Sequence, residues 1–430
     1  MAETLRERAH ALRINGPRLW DSLMALARIG ATAKGGVCRL ALSDADRAGR
    51  DLVTGWAREM GLSVTVDAIG NVFMRRAGRN PALPPVMAGS HIDTQPTGGK
   101  FDGNYGVLAA LEVLRTLDDH GITTEAPLEV VFWTNEEGSR FVPVMMGSGV
   151  FAGAVPLQHA YAAADLEGRS VHAELQRIGY LGAEVPGLHA HPVGAYFEAH
   201  IEQGPVLEDA GITIGAVTGV LGIRWYDCTV SGMEAHAGPT PMALRRDALQ
   251  VATRLMQEVV AIAHRHGADR DGRVGPGGQG RGTVGQVLVH PNSRNVIPGR
   301  VRFSIDLRNA SDALCEAMDA DLRQCAARLA QQTGLGVELQ PVSAYPAQPF
   351  DAGCVAAVER AAARLGHSCM RIVSGAGHDA VYLARLAPTG MIFVPCKDGI
   401  SHNEIEDARP EHLAAGCDVL LQVMLERAGG

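Results

Sequence analysis

Apolar and polar residues fall into two rhythms along this chain, and the switches between them outline its elements. Residues 43–60 carry an amphipathic helical pattern, with Ser43 placed to cap its start and Gly61 to stop it. Val64-Thr65-Val66 and Asn71-Val72-Phe73-Met74 then alternate as short strands around Gly70. Pro85-Val86-Met87-Ala88-Gly89 predicts a buried strand that delivers His91 at its carboxyl end. Tyr105 to Leu117 reads as a helix, and Leu128 to Trp133 as a buried strand running directly into Glu136. Tyr196 to His200 repeats the device. Strand, helix, strand, with polar residues beyond the strand ends, is the logic of an α/β sheet, whose ligands collect at the carboxyl ends of the strands.

The texture changes near Gly219. Strands are expected over 223–231, 282–290, 301–308 and 337–342, with helices over 243–265 and 311–332. That β-α-β-β-α-β order matches the split motif of ferredoxin-like domains. It reads as an insert, because α/β character returns with the strand Met391 to Val394 and the closing helix Pro410 to Arg427. The expected division is therefore a first catalytic part over 1–218, an inserted domain over 219–345 and a second catalytic part over 346–430. The glycine-rich run Gly272 to Gly282 follows no strand, so it reads as a loop and not a phosphate cradle.

Composition narrows the class. A chain of 430 residues is long for one core, and 46% hydrophobic with 20% charged residues describes a globular protein rather than a disordered one. A net charge of −8 without a basic run argues against nucleic acid or an anionic membrane as partner. The eight cysteines form no Cys-x-x-Cys pair and read as reduced thiols. Met1 to Arg13 has no apolar signal segment, and no stretch approaches the roughly 20 apolar residues of a membrane span. The expected location is the cytoplasm.

Five segments carry the chemistry: Gly89-Ser90-His91-Ile92-Asp93, Lys100-Phe101-Asp102-Gly103, Thr134-Asn135-Glu136-Glu137-Gly138, His200-Ile201-Glu202-Gln203-Gly204 and Ser401-His402-Asn403-Glu404. Three imidazoles and two carboxylates suit two neighbouring divalent ions, with one carboxylate shared between them. Asp102 lies in a glycine-flanked loop where a shared carboxylate can approach both ions, and Asp93 is close enough to His91 to hold its tautomer. Of Glu136 and Glu137, one is read as a ligand and the other as a general base. Such a set names hydrolysis by a metal-activated water. N/O donors of this kind accept zinc first, and also manganese, cobalt or nickel.

Other histidines read differently. His189-Ala190-His191 lies in a Pro/Gly-rich turn and reads as a surface pair; His264 and His266 suit the end of a long helix. His378, after Ser374-Gly375-Ala376-Gly377, is equally compatible with capping a helix and with binding substrate.

Taken together, Gly-Ser-His-Ile-Asp-Thr at 89–94, Gly-Gly-Lys-Phe-Asp-Gly at 98–103, Asn-Glu-Glu-Gly at 135–138, His-Ile-Glu-Gln-Gly-Pro at 200–205 and Ser-His-Asn-Glu at 401–404 closely resemble the hydantoinase/carbamoylase branch of the dinuclear-zinc aminoacylase and carboxypeptidase superfamily. The resemblance runs from about Arg18 to the carboxyl end, and His200 marks the branch. It implies a mixed-sheet α/β/α catalytic domain of the dinuclear-zinc exopeptidase kind with an inserted ferredoxin-like domain that dimerises and acts as a lid. It implies Asp102 as bridging ligand, His91 and His200 on one metal, Glu137 and His402 on the other, and Glu136 as general base. His236 resembles an imidazole that crosses to the partner's site to stabilise an oxyanion, and the residue-level alternative is a capped turn before Pro239-Thr240-Pro241. Asn295 and Arg308 resemble residues holding a substrate carboxylate, with Gln203 at the carbamoyl group. For Arg308 the alternative is an ion pair with Asp306 or Asp312. The implied activity is hydrolysis of the ureido group of an N-carbamoyl α- or β-amino acid by a homodimer with two divalent ions per subunit. Allantoate hydrolysis is the nearest alternative, and a dipeptidase or aminoacylase a further one, against which His200 counts. A catalytically inactive binding relative is opposed by the intact Glu136.

Overall fold

The computed structural model describes residues 11–267 and 280–429, so most of the glycine-rich run and the first ten residues of the amino terminus lie outside the described residues. The described chain forms two compact units, one up to Thr218 and from Pro349 onward, the other from Gly219 to Gln348.

The first unit is built on a mixed sheet. Its strand order is Ser63–Val66, Val72–Arg76, Leu128–Trp133, Val86–His91, Ala195–Ile201, Thr389–Val394, Ile214–Val220 and Gln348–Pro349, with Cys369–Ser374 also paired to Ile214–Val220. The four middle strands, from Leu128–Trp133 to Thr389–Val394, run parallel, and every residue in them is buried. Burial at both odd and even positions means that both faces of the sheet are covered, which is why these segments read as continuous apolar runs rather than alternating ones. The helices Asn104–Asp119 and Pro410–Ala428 pack on the sheet and on each other, tied by the Tyr105 hydroxyl donating to the Leu413 carbonyl at 2.8 Å.

The strand ends explain where chemistry collects. Val86–His91 pairs with Leu128–Trp133 along its whole length, but with Ala195–Ile201 only from Val86 to Ala88. Beyond that point the two strands part, and the first turn of Asn104–Asp119 enters the gap. Gly106 permits it, since a Cβ there would lie 2.5 Å from the Ala199 carbonyl oxygen. His91 and His200 face each other across the opening, ring centroids 6.2 Å apart. This is the crevice that parallel sheets offer to ligands.

Most expected elements are present with small shifts: 43–60 becomes Asp44–Glu59 capped by the Ser43 side chain, and 105–117 becomes Asn104–Asp119. The helices Gly16–Ala27 and Val171–Ile178 and the strand Ile214–Val220 were not anticipated. In the second unit, Gly222–Ser231, Arg300–Asn309 and Gly336–Tyr345 form an antiparallel sheet with two short strands, Arg281–Thr283 and Val287–His290. Its order is the one a split β-α-β motif gives, and its helices, Ala248–Gly267 and Asp312–Thr333, share a core with Val230, Val301, Phe303 and Leu307. Two expectations needed correction here. The helix expected from 243 starts at Ala248, because the Asp247 carboxylate accepts the Leu249 and Gln250 amides and so sets a later start. The single strand expected over 282–290 is two pieces, interrupted where the Gln286 amide turns to the Ser304 hydroxyl. At the junction, the Phe350 amide donates to the Thr218 carbonyl at 3.0 Å, so the chain leaves the first sheet and rejoins it at neighbouring positions.

One buried cation underpins the strand-end loops. The Arg39 guanidinium is fully buried and donates to the carbonyls of Ile92 (2.7 Å), Leu26 (3.0 Å) and Ile29 (2.8 Å) and to Asn104 Oδ1 (2.6 Å). It thereby pins the turn between His91 and Asp93 to the start of the helix that follows Asp102. Arg39→Met should leave these acceptors unsatisfied, at about 1–3 kcal/mol for each one that water cannot reach. Urea unfolding of the metal-stripped chain should show a loss of at least about 3 kcal/mol. A loss below about 1 kcal/mol would remove Arg39 from this role.

Candidate metal centre

His91 ends its strand with its Nδ1 2.9 Å from the Asp93 main-chain carbonyl oxygen, and His200 places Nδ1 2.9 Å from the Ile201 carbonyl oxygen. A carbonyl can only accept, so each Nδ1 carries the proton and each Nε2 lone pair faces the crevice. The Gly103 amide points at His200 Nε2 from 3.2 Å, consistent with a lone pair there. Gly103 is itself required: its φ is +65°, and a Cβ would stand 2.4 Å from the His91 ring.

Asp102 stands between two sets of donors. Its Oδ1 lies 3.6 Å from His91 Nε2 and 3.3 Å from His200 Nε2; its Oδ2 lies 3.2 Å from His402 Nε2. Glu137 Oε2 completes the second set, 3.4 Å from His402 Nε2. Two groups of three result, His91–Asp102–His200 and Asp102–Glu137–His402, each with ligand atoms within 4.8 Å of one another. Donors held tetrahedrally at about 2.0–2.2 Å from one ion are about 3.3–3.6 Å apart. The donor set, its tautomers and its spacing therefore fit two divalent ions sharing one carboxylate.

Charge follows the same plan. Against the cost of burial, the neighbouring imidazoles of His200, His402 and His91 hold the Asp102 carboxyl well below its usual range. Asp102, then Glu137, raises His402 to about 9. Burial, then repulsion from Asp102, pushes Glu137 up to about 7. Glu136 is not in either group of three. Its Oε2 lies 3.5 Å from His91 Nε2, and burial pushes it well above its usual range. It sits beside the donors as a carboxyl able to keep a proton.

Asp93 acts differently from expectation. Its carboxylate is 3.9 Å from His91 Nδ1 and instead accepts the backbone amides of Glu136 and Glu137, both at 3.2 Å. The main-chain carbonyl, nearer to the ring, takes the imidazole proton, and the carboxylate is free to orient the Glu-Glu pair. Gln203 Nε2 donates to Asp102 Oδ2 at 3.0 Å. Asn135, Gln203 and His402 all hold left-handed backbone, with φ of 55°, 56° and 54°. Such strain in non-glycine residues gathers at functional sites.

Several contributors had escaped the sequence reading. Gln95 donates to Glu137 Oε2 at 2.7 Å, and Glu198, fully buried two residues before His200 on the same strand face, accepts from Ser90 (2.7 Å) and the Ala380 amide (3.0 Å). A charge inside an otherwise apolar strand was the available signal for Glu198. His378 is buried against the His200 ring, with Nε2 3.0 Å from the Ser374 hydroxyl, and burial holds it well below its usual pKa. It precedes the short helix Ala380–Leu383 and belongs with the site rather than with a cap. His191 is no surface residue: it is buried, stacked on Phe73 at 3.7 Å and bonded to Glu184 at 2.6 Å, because the turn carrying it folds back over the sheet. His266 closes its helix as expected and adds an ion pair to Asp321 at 2.9 Å.

The second unit holds the other residues singled out above. His236 is exposed, its Nδ1 accepting the Gly238 amide at 3.1 Å, on a ribbon that pairs it with Val296. Asn295 joins the same ribbon through its carbonyl, which accepts the Ala237 amide at 2.8 Å. Arg308 meets Asp306 through Nε (3.1 Å) and Nη2 (2.8 Å), the ion pair named as its alternative.

A sheet crevice lined by two donor triads with a proton-holding carboxyl beside them defines a metal-dependent hydrolase site. A model of the family described as Peptidase family M20/M25/M40 matches residues 87–426. The chain is 47% identical to an N-carbamoyl-L-amino-acid amidohydrolase of Rhizobium meliloti, covering 97% of both chains, and 39% identical to another of Geobacillus stearothermophilus, covering 97% of this chain and 100% of that one. The crystal structure of a hydantoinase/carbamoylase family amidase from Burkholderia multivorans superposes with a TM-score of 0.93 at 56% identity, over 98% of this chain and 99% of that one. The chain belongs to the hydantoinase/carbamoylase amidases within Peptidase family M20/M25/M40.

Asp93→Asn tests how the Glu-Glu pair is held. One acceptor oxygen becomes an amide donor facing a backbone N–H, so Glu136 and Glu137 should shift. Ion affinity should fall roughly 10–100-fold, as for other outer partners of metal ligands. Isothermal titration with zinc or manganese reads this directly, and unchanged affinity would count against the orienting role.

Proposed function

We propose that this amidase hydrolyses the ureido group of N-carbamoyl-L-amino acids, yielding the amino acid, ammonia and carbon dioxide. The reading is carried by the shared Asp102 carboxylate between two donor triads with Glu136 beside them, in a chain whose 47% identical relative is named for that activity. N-carbamoyl-β-alanine is the β-amino acid variant of the same substrate class. His91, Asp102 and His200 would hold one divalent ion and Asp102, Glu137 and His402 the other, with zinc the first choice and manganese, cobalt or nickel compatible. Bound there, the ions supply Lewis-acid polarisation and make water a stronger acid.

The protein's own groups carry the rest. Glu136 takes the proton of the attacking water, holds it in its buried setting, and returns it to the nitrogen that leaves as the C–N bond breaks. Gln203, which donates to Asp102 Oδ2, would orient the carbamoyl group. Arg308, with Asn295, binds the substrate carboxylate as a two-pronged guanidinium in competition with Asp306. His236 stabilises the developing oxyanion from the partner subunit of a homodimer formed through the inserted unit. Among the described residues no helix is long and apolar enough to cross a membrane, and we place the enzyme in the cytoplasm.

Ammonia release from N-carbamoyl-L-α-amino acids, N-carbamoyl-β-alanine and allantoate, after loading with metal, tests the substrate. Highest kcat/KM on an N-carbamoyl-L-amino acid is expected, and highest on allantoate would overturn the assignment. Glu136→Gln should keep both ions and lose on the order of 10²–10⁴ in turnover, whereas Asp102→Ala should lose metal as well. Retention of most activity by Glu136→Gln would refute the base. Mixing inactive His236→Ala and Glu136→Gln chains should restore activity, about half the wild-type value per heterodimer if sites act independently. Differently tagged heterodimers that stay inactive would refute action across the dimer.

A further inference from the structure

The two triads are contributed by loops far apart in sequence, so something must fix the distance between Asp102 and His402. Glu406 is the group placed to do so. It is 1% exposed, and its Oε1 accepts the backbone amides of Phe101 (2.9 Å) and Asp102 (3.2 Å). Its Oε2 accepts the Ser401 hydroxyl at 2.8 Å, and that oxygen in turn lies 3.2 Å from Asp102 Oδ2. One carboxylate thus grips the backbone of the shared ligand and, through the residue before His402, the loop of the second triad. Glycine makes room for it. A Cβ on Gly99 would lie 2.0 Å from the Glu406 carboxyl carbon, so any larger residue at 99 collides with the grip itself.

We infer that Glu406 is a positioning residue that sets the spacing of the two ion sites, and that Gly99 is glycine to admit it. The inference rests on the two-ion reading above. Its weight falls on the Asp102–Glu137–His402 site, since His91 and His200 are held by strand ends and their own carbonyls.

The test is stepwise cobalt(II) titration of the metal-stripped full chain, followed by d–d absorption and calorimetry. Wild-type should take two ions, and if it takes none, it is the metal reading that fails. Given two in wild-type, Glu406→Ala and Gly99→Ala should each weaken one step roughly 10–100-fold and leave the other within about threefold. Glu406→Gln keeps an oxygen acceptor for the two amides and a donor for Ser401, so it should retain both steps within about threefold, a rescue that loss of general stability would not give. Two unchanged steps in Glu406→Ala would overturn the inference, as would Glu406→Gln as impaired as Glu406→Ala. Should Glu406→Ala not fold, Gly99→Ala and Glu406→Gln decide by the same criteria.

Discussion

A single buried negative charge organises this protein. Asp102 is nearly inaccessible to water and would be costly to ionise alone, yet three imidazoles converge on its two oxygens and hold it deprotonated. Each imidazole arrives from a different element: His91 from one strand, His200 from its neighbour and His402 from a loop near the carboxyl end. The fold is what makes the convergence possible. Parallel strands put His91 and His200 at the same edge, and their parting beyond Ala88 opens the space between the rings.

Around that charge, the backbone carries much of the specification. Main-chain carbonyls choose the tautomers of His91 and His200, and main-chain amides of Glu136 and Glu137 are collected by Asp93. Arg39 reads three carbonyls on two segments at once. A site specified this way tolerates little movement of its loops, which fits the left-handed conformations of Asn135, Gln203 and His402.

Asp102 and His402 entered the set of candidate ligands through their loop motifs, whereas His91, His200 and the Glu136-Glu137 pair stood out because they close apolar runs, where a histidine or glutamate has few structural uses. The parallel core was legible for the same reason. What was not legible depends on contacts that leave no local trace. Arg39 follows Val37-Cys38 with nothing periodic about it, and its partners are carbonyls, which every residue has. His191 looked like a turn residue because stacking on Phe73 joins positions more than a hundred residues apart. The late start at Ala248 turned on one side-chain cap against a helical pattern that continued through it. Asp93 was found, but proximity in sequence suggested the wrong partner for its carboxylate.

The way the chain departs from the first sheet and returns to it has a further meaning. Thr218 and Phe350 are joined by a hydrogen bond, and Gln348–Pro349 lies on the strand that ends at Val220. Some 130 residues of a separately cored unit therefore hang from what is, for the parent sheet, little more than a hairpin connection. Such an attachment point isolates the architecture of the strand-end crevice from changes in the attached module. A lineage can lengthen, resurface or exchange the module while the donors at the strand ends stay where they are.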